Sequence, residues 1–137
     1  MNPAFRNSLA IIIGAMIGGA VNMGIILISG HIIPPPAGAD LTTETGLKAA
    51  MQLMEPKHFL MPFLAHAIGT LAGAIITALL AVSHKTWLAL AIGIFFLAGG
   101  VMEVISLPSP VWFTITDLVL AYIPMAFLGA KLAEKKK

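Results

Sequence analysis

Hydrophobic positions in this chain fall into four long runs with few polar interruptions, at 9–28, 59–82, 86–107 and 111–130. At about 1.5 Å of rise per residue, about 20 helical residues cross a hydrocarbon core of about 30 Å. Each run reaches that length, and each is therefore predicted as a transmembrane helix. Pro108-Ser109-Pro110 and Ser83-His84-Lys85 are the only breaks between the last three runs. Connections that short force neighbouring helices antiparallel. The first run is longer than the apolar core of a signal peptide, and no A-x-A-like site follows it. It reads as a retained membrane span.

The remaining connection, 29–58, has a different pattern. Pro34-Pro35-Pro36 imposes an extended segment. Beyond it, Leu47, Ala50, Met51 and Met54 recur at helical spacing, while Lys48, Gln52 and Glu55 fall on the other face. Thr42 or Thr43 caps the start, Glu44 suits the first turn, and Pro56 stops the element. The expectation is an amphipathic helix over about 43–55, lying flat on the external surface, as an interfacial plug that shields the bundle or as a lid over a site below it. The fold class is then an all-α integral membrane protein. It is a single domain over 1–137, with a four-helix transmembrane bundle and a short interfacial helix in its external loop.

Composition agrees with lipid as the solvent. Of the 137 residues, 58% are hydrophobic and 10% are charged, against about 25% charged in soluble domains. Without cysteine there is no disulfide and no thiolate site. The net charge of +2 is small, but its placement orients the chain. Arg6, Lys85, Lys131, Lys135, Lys136 and Lys137 fall on one side of the four spans, and Lys48 and Lys57 on the other. Basic residues gather on the cytoplasmic side, so both termini are expected there, in a bacterial inner (plasma) membrane. The lysine-rich tail fits an anionic lipid surface. No basic face suggests nucleic acid.

Helices in lipid associate through small residues and polar contacts. Gly14, Gly18 and Asn22 form one such ridge, and Ala65, Gly69, Gly73 and Thr77 form another. Their mutual contact is expected to be the tightest, either within the chain or between subunits. A homodimer is compatible with so small an interior. Gly18-Gly19-x-x-Asn22 also resembles Gly99-Gly100-x-x-Glu103, as a duplicated hairpin would.

One strong polar residue lies on each span, namely Asn22, His66, Glu103 and Asp117. Counted from the external ends, they lie about 6–10 Å deep, all in the outer half. A charge within a membrane helix costs about 2.5–3.5 kcal/mol at the centre. These groups are therefore expected to face inward and satisfy one another, with Thr70, Thr114 and Tyr122 in support.

Three function classes follow. Proton- or cation-linked transport comes first, with Asp117 and Glu103 binding the ion and His66 relaying it. Pro124 would provide a kink for gating. A non-catalytic membrane subunit or scaffold is the second, its polar groups fixing helix register. The third is a metal-dependent intramembrane enzyme acting on a lipid-like substrate, with His66, Glu103, Asp117 and His58 as candidate ligands. No local motif such as H-E-x-x-H supports the third. The sequence identifies neither cofactor nor ligand.

Overall fold

The computed structural model describes residues 1–135; Lys136 and Lys137 of the predicted basic tail lie outside the described residues. The elements are α1 (Pro3–Ile32), α2 (Glu44–Met51), a 3-10 turn (Pro56–Phe59), α3 (Leu60–Leu80), α4 (Lys85–Ser106), α5 (Val111–Leu120) and α6 (Ile123–Glu134). The described residues form no strand. Four segments are long and apolar enough to cross a membrane: Pro3–Ile32, Pro56–Leu80, Lys85–Ser106 and Val111–Glu134.

Helix α1 is longer than its apolar run. Asn2 accepts a hydrogen bond from the Ala4 amide and caps it, and Pro3 is well suited to the first turn. Its 30 residues extend about 45 Å, so it outreaches a hydrocarbon core. Helix α2 is shorter than predicted. Thr43 caps it, as expected, but it ends at Met51, and Gln52 and Leu53 form tight turns back to Ala49 and Ala50. Glu55 precedes a proline and is held extended. Pro56 therefore opens the 3-10 turn instead of ending α2.

The fourth span is broken. Pro124 has no amide to offer the Leu120 carbonyl and its ring crowds that turn. The helix accordingly stops at Leu120 and restarts at Ile123. The second span is continuous where the fourth is interrupted, so the two hairpins differ in shape despite their similar glycine pairs.

Helix α3 is the hub. It packs against α1 on one side and against α4 and α6 on the other, while α1 touches α4 only lightly. The α1–α3 contact follows an antiparallel register in steps of four. The Thr77 hydroxyl donates to the Ala10 carbonyl. A Cβ on Gly14 would lie 2.7 Å from the Gly73 carbonyl oxygen, and one on Gly73 would lie 2.8 Å from that of Gly14. Gly18 and Gly69 repeat the arrangement at 2.7 and 2.9 Å. The glycine ridges thus pack within the chain. The other side of α3 closes on alanine, with Ala74, Ala78, Ala89, Ala126 and Ala130 forming one buried cluster.

The start of α1, the last turn of α6 and the 81–84 turn gather at one end of the bundle, called here the terminal end. Asn7 bonds Ser83 and the Val82 amide there, and Lys85 donates to the Ala78 and Ala81 carbonyls at the end of α3. The 33–59 segment covers the opposite, loop end. Its Asp40 carboxylate accepts from the Thr42 hydroxyl and amide, which holds this carboxyl below its ordinary pKa. Trp87 and Trp112 are exposed at opposite ends, as interfacial anchors are.

Candidate functional site

The polar residues of α3, α4 and α5 meet in the loop-end half of the bundle. His66 stands between two carboxylates. Its Nδ1 lies 2.8 Å from Asp117 Oδ1, and its Nε2 lies 3.3 Å from Glu103 Oε2. The Tyr122 hydroxyl donates to Asp117 Oδ2 at 3.0 Å, and its ring stacks on the His66 ring at 5.8 Å. The result is a chain of contacts, Glu103–His66–Asp117–Tyr122, with Asp117 engaged through both oxygens.

Exposure is graded along this chain. The Asp117 residue is 3% exposed, the His66 side chain 12% and the Glu103 side chain 47%. An isolated carboxylate at such a depth would be costly. Hydrogen bonds involving charged groups contribute about 1.5–3 kcal/mol each, and Asp117 has two partners to offset its burial.

Helix periodicity alone would not bring Tyr122 to Asp117. Five residues along a regular helix rotate about 140° beyond one full turn, leaving the two on nearly opposite faces. The break at Ala121–Tyr122 removes that constraint. Gly100 then provides the space, since a Cβ there would lie 2.8 Å from Tyr122 Cζ. The sequence shows the proline that causes the break, but helical spacing conceals the pairing that results.

Asn22 and Thr70 reach the same place from α1 and α3. They line, with His66, Glu103 and Tyr122, a cleft of about 230 Å³. Asn22 Oδ1 and Thr70 Oγ1 are buried and have no hydrogen-bond partner among the described residues. Gly19 and Gly99 stand on the two walls, and a Cβ on either would meet no atom within 4 Å. The cleft therefore opens on the flank of the bundle between α1 and α4.

All four predicted polar residues converge. Of the supporting three, Thr70 and Tyr122 line the cleft, while Thr114 stands outside it; both Asp117 oxygens are already taken by His66 and Tyr122. His58 also stays apart, because its Nδ1 accepts from the Glu55 amide at 2.9 Å in the 3-10 turn. The candidate metal ligands do not point at a common centre: the two His66 nitrogens face different carboxylates. Among the described residues no three His, Asp or Glu side chains are arranged to hold a metal ion.

A second hollow, also about 230 Å³, lies beneath α2. Leu47, Met51 and Met54, three of the predicted apolar stripe, face Ile26, Phe59 and Phe113 across it. The helix expected here, as a plug over the bundle or a lid over a site below it, has a cavity beneath it.

No protein-family model, curated protein or solved structure matches this chain.

Proposed function

We propose that the chain carries out proton-linked transport across a membrane, with Glu103, His66 and Asp117 as the proton-handling path. The observation that carries this reading is the imidazole held between two carboxylates of unequal exposure. A histidine can accept a proton on one ring nitrogen and give up the other, so it passes protons between groups on opposite edges. Glu103, half exposed at the cleft, supplies the accessible end. Asp117, buried and hydrogen-bonded by Tyr122, supplies the enclosed one.

Access from the terminal end is closed by the alanine cluster. Transport therefore needs a movement, and the α5–α6 break lies four to five residues from Asp117. A break in a membrane helix beside its ionisable residue suits a hinge. A membrane scaffold is the competing reading, in which the same contacts only fix helix register. The unpartnered Asn22 and Thr70 oxygens weigh against it, because a purely structural site has no use for polar atoms left unsatisfied.

The test is proton movement into proteoliposomes containing a pH-sensitive dye, driven by a potassium diffusion potential. Native protein is expected to acidify the lumen, and Asp117→Asn to reduce the rate at least tenfold. Native rates equal to those of protein-free liposomes, or unchanged rates in a folded Asp117→Asn protein, would overturn the reading.

A further inference from the structure

We infer that the cleft and the hollow beneath α2 together form one binding site for an amphiphilic primary ammonium ion. Its head sits in the cleft and its apolar chain lies under α2. This deepens the transport reading by naming its cargo, and rests on that reading for the role of cargo though not for binding itself.

The two cavities have one lining residue in common, Glu103. On its cleft side are acceptors in need of donors. Asn22 Oδ1 and Thr70 Oγ1 are buried without partners, and Thr70 is 1% exposed. An unsatisfied buried polar atom costs about 1–3 kcal/mol, so a ligand that satisfies these atoms gains that much in binding. Both oxygens can accept, and the carboxylate beside them accepts only. The complementary head is a cation with several N–H donors. A primary ammonium offers three.

On its other side, Glu103 borders a chamber whose walls are Ile26, Leu47, Met51, Met54, Phe59 and Phe113. At about 30 Å³ for a group of water size, the chamber's volume of about 230 Å³ holds roughly seven or eight methylenes. The two methionines are unbranched and adjust to chains of different shape. Helix α2 thereby becomes the wall that keeps the chain from water, with its Glu44–Lys48 pair turned outward.

This ligand also meets the proton path. Its charge falls on the carboxylate that contacts His66, so ammonium and proton compete for Glu103. Exchange of one for the other is the coupling that a proton-linked carrier needs. The chemistry has two sources, a free alkylamine or the headgroup of an aminophospholipid entering through the flank between Gly19 and Gly99.

Titration of n-octylammonium chloride into the full chain, held in phosphatidylcholine nanodiscs, tests the inference. Saturable one-to-one binding is expected. It should weaken at least tenfold in Glu103→Gln and about threefold to tenfold in Thr70→Val. Octyltrimethylammonium, which has the charge but no N–H donor, should bind at least tenfold more weakly. Adding phosphatidylethanolamine to the discs should lower the apparent octylammonium affinity if the lipid is the source, and leave it unchanged if a free amine is. Absence of saturable binding, equal affinity for the two ammonium ions, or native affinity in both variants would overturn the inference. If Glu103→Gln fails to fold, Thr70→Val and the octyltrimethylammonium comparison decide. Octylammonium binding without Asp117-dependent proton movement would reject the transport reading and leave the site standing. The converse result would reject the site alone.

Discussion

Thr70 and Thr77 lie two turns apart on α3 and are both buried, at 1% and 0% exposure. Thr77 bonds the Ala10 carbonyl and is part of the α1–α3 seam. Thr70 has no partner among the described residues and looks into the cleft. One helix thus serves two purposes. Its terminal-end half is packed closed with glycine, alanine and a satisfied hydroxyl. In its loop-end half polar groups exceed the partners available to them. Close packing and a satisfied hydroxyl mark the first half, and buried polar atoms without partners mark the second.

The widest separation between the halves should come from glycine. In Gly14→Leu the new side chain would be driven into the Gly73 backbone and the Thr77 hydroxyl. Backbone cannot yield as a side-chain tip can, so α1 must move off α3. Overpacking costs about 1–3 kcal/mol and sometimes more, and the upper end is expected here. Gly19→Leu, about one and a half turns further along α1 and on its cleft side, would add its Cβ where nothing lies within 4 Å. It should change stability by about 0.5 kcal/mol or less while narrowing the flank opening and weakening octylammonium binding. Reversible unfolding in mixed micelles measures both. Equal destabilisation by the two would erase the distinction between a closed half and an open one.

Much of this division was legible in the sequence. The register of α1 on α3 follows from small residues at steps of four, because lipid-embedded helices have little else to pack with. Convergence of Asn22, His66, Glu103 and Asp117 follows from the cost of leaving such groups in hydrocarbon. The less legible features have local causes. Hydropathy measures the apolar length of a span, so it missed the capped polar turn that extends α1 to Pro3. Periodicity assumes an unbroken helix, so it hid the contact between Asp117 and Tyr122 across the Pro124 break. The amphipathic stripe located α2, but a stripe cannot reveal whether its apolar face meets side chains or a cavity.

Gly100→Ala strikes the open half through its packing. The added methyl would lie against the Tyr122 ring and displace its hydroxyl from Asp117. A loss of about 2–3 kcal/mol is expected, combining a small overpacking penalty with one hydrogen bond to a carboxylate. Tyr122→Phe removes the hydrogen bond without the clash and should cost about 1.5–2 kcal/mol. If Gly100→Ala costs no more than Tyr122→Phe, the ring has room to move aside. Proton movement should slow in both, since Asp117 loses the hydrogen bond that orients its carboxylate toward His66.

The finest contrast lies between the two threonines themselves, and it concerns sign as well as size. Valine has nearly the shape of threonine but carries a methyl in place of the hydroxyl. At position 77 the exchange removes a bond to the Ala10 carbonyl, so Thr77→Val should destabilise by about 1 kcal/mol. At position 70 it removes a buried hydroxyl that has no protein partner. Nothing is lost in the unliganded protein, and the desolvation cost of that hydroxyl disappears, so Thr70→Val should be neutral or stabilise by up to about 1 kcal/mol. Octylammonium should reverse the relation. At saturating ligand the native protein gains the Thr70 contact and the variant does not, so the stabilisation conferred by ligand must be smaller in Thr70→Val than in Thr77→Val. Thermal unfolding of both variants, with and without octylammonium, measures all four quantities. A destabilised Thr70→Val protein without ligand would mean that this hydroxyl already has a partner, and the loop-end half of α3 would then be as satisfied as the terminal end.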